Sequence, residues 1–163
     1  MPLTTLLTAD RIAVAVPADD GDAVLETAAQ LLCGDAAAQT AAAIADSLRQ
    51  RERLGSTAIG HGIAIPHGRS NVFAEPRGAF LRLQRPIEFG ASDEQAVDLV
   101  FALIVPENFT QQHLQLLSEL AERFADADYR AALREAADAD ALLRLLAEPM
   151  LPAAALRSGA GQP

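Results

Sequence analysis

The sequence predicts an α/β sandwich, a β-sheet with α-helices on both faces. Two observations predict it. Strand-like runs are interleaved with amphipathic helical patterns along the chain. One run, Val97 to Val105 (VDLVFALIV), is apolar almost without a break, the signature of a strand covered on both faces. Half of the 163 residues are hydrophobic, so a sizeable core is available. With six Phe, one Tyr and no Trp, that core is aliphatic.

The first strand is read at Ile12, Val14 and Val16, which alternate with smaller residues. Asp19-Asp20-Gly21-Asp22 breaks it and offers N-cap residues for a helix from about Ala23 to Cys33, stopped by Gly34. Asp35 can cap a second helix through about Leu54, with Ala41, Ile44 and Leu48 on its apolar stripe and Gly55 after its end. Ser56 to Gly62 is a glycine-punctuated loop, followed by a short strand, Ile63-Ala64-Ile65. Ala79, Leu81 and Leu83 alternate with Phe80, Arg82 and Gln84, a strand with two unlike faces that Pro86 ends. After the buried run, Pro106-Glu107-Asn108 leads into a periodic helix from about Thr110 to Phe124. Asp126 and Asp138 cap two shorter helices, the second carrying Leu142, Leu143, Leu145 and Leu146. No repeat or linker divides the chain, so residues 1–148 are expected to form one domain. Residues 149–163, rich in Ala, Pro, Gly and Ser, are expected to be a disordered tail.

Charge and cysteine usage exclude several function classes. The formal charge is −9 and every basic residue is arginine. A chain this acidic, without a basic stripe, is repelled by nucleic acid and by anionic membrane surfaces. Cys33 is the lone cysteine and lies in an apolar helical pattern, which reads as a small buried hydrophobe, so no internal disulfide is possible. No apolar run is long enough to span a bilayer, and the Leu-rich start lacks a basic region before it. A cytoplasmic protein without membrane insertion is the expectation.

The chemistry concentrates in Ile63-Ala64-Ile65-Pro66-His67-Gly68-Arg69. His67 stands where a strand ends, a place where sites collect in α/β folds. Pro66 stiffens the approach and Gly68 leaves room for a bulky group beside the imidazole. Such an imidazole moves protons or attacks as a nucleophile. Ser56, Thr57 and Ser70 are near in sequence, but no G-x-S-x-G elbow is present. A phosphoryl group on nitrogen wants donors and a cation nearby. Arg51 continues the apolar stripe of its helix, either pointing into a site or satisfying the helix end with its stem on apolar surface. His113 shares a helical face with Leu117, Leu120 and Phe124, either as a hydrogen-bonded core residue or as a second imidazole facing His67. His61, in a Gly-His-Gly loop, reads as exposed and without a role. No zinc-ligand spacing, P-loop or dinucleotide fingerprint occurs, so neither metal nor cofactor is expected.

The stretch Gly55 to Arg69, GSTAIGHGIAIPHGR, resembles the active-site signature of the fructose/mannitol-type IIA domains of the bacterial phosphoenolpyruvate-dependent phosphotransferase system. Arg51-Glu52-Arg53 before it and VDLVFALIVPEN with its His-bearing helix after it resemble that family in order and spacing, over roughly residues 3 to 148. RERLGST leading into the motif is most similar to the nitrogen-regulatory branch.

The resemblance implies an α/β fold with a mixed β-sheet flanked by helices on both faces. It implies that His67 is phosphorylated by a histidine-phosphorylated carrier protein, that Arg51 lies near the phosphoryl group, and that His113 hydrogen-bonds it. It also implies partners of two kinds: the carrier, and regulatory targets such as transporters or sensor kinases. The alternative is a sugar-transport component that passes phosphate to a IIB domain; a histidine-dependent hydrolase is a weaker third reading. Ala58 stands where the family commonly has glycine, so the turn there is expected to avoid positive φ. His61 stands where the nitrogen-regulatory branch often has asparagine. Arg69 stands for a common lysine.

Overall fold

The run Val97–Val105 forms the central strand of a six-stranded sheet. A computed structural model describes residues 5–148. In chain order the elements are β1 (Ile12–Val16), α1 (Gly21–Cys33), α2 (Ala38–Arg53), β2 (Ala58–Gly60), β3 (Ile63–Ala64), β4 (His67–Arg69), β5 (Arg77–Ile87), β6 (Val97–Val105), α3 (Thr110–Phe124), α4 (Ala127–Glu135) and α5 (Ala139–Ala147). The sheet order is β1-β5-β6-β3-β2, with β4 also paired to β6. β5 runs antiparallel to β6, whereas β3 and β4 run parallel to it. The sheet is therefore mixed.

Alternation along the two long strands separates the core into two layers. Val100, Ala102 and Ile104 of β6 join Ala79, Leu81 and Leu83 of β5 beneath α1 and α2, against Leu25, Leu32, Ile44 and Leu48. Leu99, Phe101, Leu103 and Phe80 face the other way, against Leu116, Leu120, Leu133 and Leu142 of α3 to α5. A strand with period-two side chains can be apolar throughout only when both faces are covered, and β6 meets that condition. Arg82 of β5 spends its charge structurally: its Nη1 donates to the carbonyls of Leu133 and Ala136 at the C-terminal end of α4, at 3.0 and 2.7 Å.

Several local expectations change. α1 starts at Gly21, with the Asp20 carboxylate accepting from the Ala23 N–H. α2 is preceded by Ala37, which makes no side-chain cap, so Asp35 lies outside the helix and does not cap it. Val14 is exposed: β1 is an edge strand whose register shifts after Ala13, and Ala15 has φ 53°, which breaks the alternation. β5 runs through Pro86 to Ile87, with a register shift past Arg82. Ile65 lies between β3 and β4, not within a strand. Asp126 and Asp138 do cap α4 and α5, each accepting backbone N–H groups. Cys33 is buried, 4% exposed, as expected of a small hydrophobe. The tail expected over residues 149–163 lies outside the described residues.

Candidate active site

The site forms where three elements meet: the C-terminal turn of α2, the start of β4 and the N-terminal turn of α3. β3 and β4 lie along the same side of β6, interrupted at Ile65-Pro66. The Pro66 carbonyl still accepts from the Leu103 N–H at 2.9 Å, so the missing proline N–H costs the ladder nothing there. His67 therefore opens β4, paired opposite Leu103, and does not close a strand.

Gly68 has a different reason from the one its sequence position indicates. A Cβ there would lie 2.3 Å from the Ser47 Oγ and 3.1 Å from Ser47 Cβ and backbone carbon. Glycine is needed because α2 crosses β4 at close range, not to clear the approach to the imidazole. The same closeness lets Ser47 Oγ donate to the Arg69 carbonyl at 3.1 Å. Arg51 lies one turn beyond Ser47 on the same face of α2. Its Nε donates to His67 Nε2 at 3.2 Å and its Nη1 to the Gly55 carbonyl at 2.9 Å. Arg51 thus points into the site.

The hydrogen bonds assign the tautomer of His67. Its Nδ1 lies 2.8 Å from the Ile65 carbonyl, which can only accept, so Nδ1 carries the proton. Nε2 is then a lone pair, which the Arg51 N–H faces. Burial is the main cause that lowers the pKa of His67 from its usual value, with the Arg51 and Arg69 charges acting the same way against the Ile65 hydrogen bond. The group is a neutral imidazole at neutral pH with one directed lone pair.

His113, on the first turns of α3, is 3% exposed. Its ring meets that of His67 edge-on, with centroids 5.2 Å apart and an interplanar angle of 82°. Arg69 Nε donates to His113 Nδ1 at 3.3 Å. Among the described residues, His113 Nε2 is the buried side-chain polar atom that has no hydrogen-bond partner. Burial, first, and then His67, Arg69 and Arg51 push its pKa down to about 4. The structure brings His67, Arg51 and His113 together.

Two features escape sequence reasoning. Glu52 accepts both the N–H and the Oγ1–H of Thr57, at 2.9 and 2.7 Å, and so ties the end of α2 to the chain that enters β2. Thr57 is 5% exposed and its hydroxyl is committed to this clamp. No local pattern links a glutamate to a threonine five positions on across a helix end. Arg69 is the other, since only the fold shows that it reaches α3.

His61 is also better held than its loop indicates. Gly60, His61 and Gly62 all have positive φ, at 95°, 58° and 80°, so β2 and β3 are joined by a tight turn. Asp93 accepts from the His61 N–H at 2.8 Å, and Arg134, itself paired with Asp98, donates to the His61 carbonyl at 2.7 Å. The backbone at 61 needs a residue that tolerates the left-handed region, where Asn, Asp and His are enriched. Ala58 avoids positive φ, lying in β2.

A surface cleft of about 350 Å³ lies beside α1 and α2, lined by residues that include Asp22, Arg49, Glu52 and Phe89. None of His67, Arg51 and His113 lines it. Among the described residues no group of three or more His, Cys, Asp or Glu side chains is placed to share a metal ion, and no helix is long and apolar enough to cross a membrane.

A lone-pair imidazole flanked by an arginine and a buried, partnerless ring nitrogen has the chemistry to receive an anionic group on nitrogen. Comparison with known proteins agrees at the level of the family. Residues 5–148 match the model of the phosphoenolpyruvate-dependent sugar phosphotransferase system EIIA 2 family, and the chain belongs to it, as a phosphocarrier component of that system. It is similar to the nitrogen regulatory protein of Pseudomonas aeruginosa, 41% identical over 146 residues, which are 90% of this chain and 95% of that one. The nitrogen regulatory protein of Bradyrhizobium diazoefficiens is 38% identical over 154 residues, 94% of this chain and all of that one. The crystal structure of nitrogen regulatory protein IIA-Ntr from Neisseria meningitidis superposes with a TM-score of 0.82 at 34% identity, covering 88% of this chain and 98% of that one.

Proposed function

We propose that His67 is the phosphoryl acceptor, that its Nε2 is the atom phosphorylated, and that the donor is a phosphohistidine on a carrier protein. The observation that supports this most directly is the buried, partnerless Nε2 of His113 beside the His67 lone pair. A buried donor without a partner costs about 1–3 kcal/mol, and a phosphoryl oxygen would satisfy it.

The transfer balances without an outside proton. The His67 Nε2 lone pair forms the new N–P bond as the N–P bond of the carrier breaks. His67 becomes a phosphoimidazolium that keeps its Nδ1 proton, and the carrier's phosphoimidazolium leaves as a neutral imidazole. The Ile65 carbonyl, 2.8 Å from Nδ1, stabilises the positive charge that develops on the ring. Donor and acceptor are the same chemical group, so the reaction is close to balanced. Catalysis is then positioning and charge stabilisation. Arg51 turns its N–H from Nε2 to a phosphoryl oxygen, and His113 supplies a second donor. Both act in a partly desolvated site, where such contacts are strongest.

The role we favour is regulatory: a cytoplasmic phosphocarrier whose phosphorylation state changes which proteins it binds, transporters or sensor kinases among them. Nitrogen regulatory proteins match this chain over at least nine-tenths of both lengths, which favours that role over passing phosphate to a sugar-transport IIB domain. The test is phosphorylation from phosphoenolpyruvate through the first enzyme of the system and its carrier protein, read by intact mass. One acid-labile phosphoryl group on the wild type and none on His67→Ala is the expected result. Equal labelling of both would refute the assignment of His67. Adding purified IIB domains then separates the roles, because rapid loss of label to a IIB domain would overturn the regulatory reading.

A further inference from the structure

We infer that Arg69 is a positioning residue for phosphoryl transfer, acting through His113: it holds the His113 imidazole in the single tautomer that presents an N–H to the transferred group. This rests on the reading of His67 as phosphoryl acceptor. The argument starts from what guanidinium can do. It carries N–H donors only and stays charged at all working pH values. Arg69 Nε lies 3.3 Å from His113 Nδ1, so that nitrogen must be the acceptor. In a neutral imidazole the proton is then on Nε2. Nε2 is also the atom left without a partner, in a ring that is 3% exposed. One contact therefore explains both facts. Arg69 occupies the acceptor nitrogen and leaves the donor nitrogen for an incoming oxygen.

Arg69 is itself well placed to do this. Its backbone is in β4, two residues after His67, and the Ser47 hydroxyl holds its carbonyl at 3.1 Å. Its Nη1 donates to Thr110 Oγ1 at 3.4 Å, on the first turn of the helix that carries His113. The side chain thus bridges β4 and α3, and the distance between the two imidazoles is set across that bridge. The charged and titratable groups that act on His113 are His67, Arg69 and Arg51, from β4 and α2. All three oppose a second proton on its ring, so His113 stays neutral and the tautomer is the variable that matters.

The experiment compares wild type with Arg69→Met and Arg69→Lys, using histidine labelled with nitrogen-15 on both ring positions. In the wild type at pH 7.5, His113 is expected to show a protonated Nε2 and a bare Nδ1. Arg69→Met removes the donor, so a mixture of tautomers is expected, with the maximal rate of phosphoryl transfer falling in proportion to the fraction of His113 that has lost its Nε2 proton, about twofold for an even mixture. Arg69→Lys keeps a charged donor and is expected to restore both the spectrum and most of the rate. Three results would overturn the inference: a wild-type His113 protonated on Nδ1, an unchanged spectrum in Arg69→Met, or a spectrum that shifts with no change in maximal rate. The spectrum of the unphosphorylated protein stands independently of His67 chemistry. A wild type that takes no phosphoryl group would refute the proposed function while leaving the tautomer assignment to be judged separately.

Discussion

Replacing Gly68 by alanine tests why the Pro66-His67-Gly68 stretch carries a glycine at all. The added Cβ would sit 2.3 Å from Ser47 Oγ, against about 3.4 Å for ordinary contact. Rotating the hydroxyl away relieves that contact but leaves Ser47 Cβ and its backbone carbon at 3.1 Å. α2 must therefore move, by up to about 1 Å if the hydroxyl stays in place. Overpacking of this kind costs about 1–3 kcal/mol, and a value of about 2 lowers Tm by about 4–8 °C in a chain of this size. The same movement carries Arg51 away from His67, because Ser47 and Arg51 share one face of α2. A 1 Å misplacement in a transfer site costs up to about 10²-fold in rate. Thermal melts and the rate of phosphoryl acceptance are the assays. Ser47→Gly removes the side chain that the new Cβ meets, so Gly68→Ala should cost less in a Ser47→Gly background than in the wild type, though not nothing, since the backbone carbon remains close. An alanine variant with wild-type Tm but slow transfer would refute the argument, and would mean that the glycine serves to clear the approach to the imidazole.

Three other outcomes are expected. Arg51→Ala should lower the rate of phosphoryl acceptance by about 10²–10³ while the fold, judged by Tm, changes little, as measured in a quenched-flow labelling assay. The pH dependence of stability has a definite sign. His113 binds its proton near pH 6.5 in the unfolded chain and near about 4 in the fold, so the unfolded state takes up the proton first as pH falls. Stability is fully present above about 6.5, declines toward 4 and levels off below, a loss of up to about 3 kcal/mol, with the lowered pKa of His67 acting in the same direction. Urea unfolding of wild type and His113→Gln between pH 7.5 and 4 should show the gap between them narrow or reverse as the pH drops; parallel curves would contradict the burial argument. Last, His61→Asn should match the wild type within about 0.5 kcal/mol, while His61→Val should cost about 1–2 kcal/mol by forcing a β-branched residue to φ 58°. Comparing their denaturation midpoints checks this.

The layers of the fold and the identity of the central strand were legible because they rest on side-chain periodicity, which is written into neighbouring residues. Val97 to Val105 could only be a strand covered on both faces, and α1, α3, α4 and α5 announced themselves by spacing and by Asp20, Asp126 and Asp138. The signals that failed were ones with a close competitor. Asp35 is a good capping residue in the wrong place, and Ala37 begins α2 without side-chain help because the helix is held by packing Ile44 and Leu48. A proline ordinarily ends a central strand, but Pro86 is tolerated in the part of β5 that has shifted register.

For the site, the sequence by itself determined the reagent: a histidine between Pro66 and Gly68, and an arginine and a second histidine on helical faces that are otherwise apolar. It left open whether Arg51 and His113 were core, surface or site, since a residue on a stripe looks the same in each case. Only the tertiary structure decided that, by crossing α2 over β4 closely enough to need Gly68 and by laying α3 against the same strand. Those contacts join positions 16, 44 and more residues apart, and they depend on sheet order, which no local pattern encodes. The proton positions follow from them, because a carbonyl at Ile65 and a guanidinium at Arg69 each leave one ring nitrogen only one role to play.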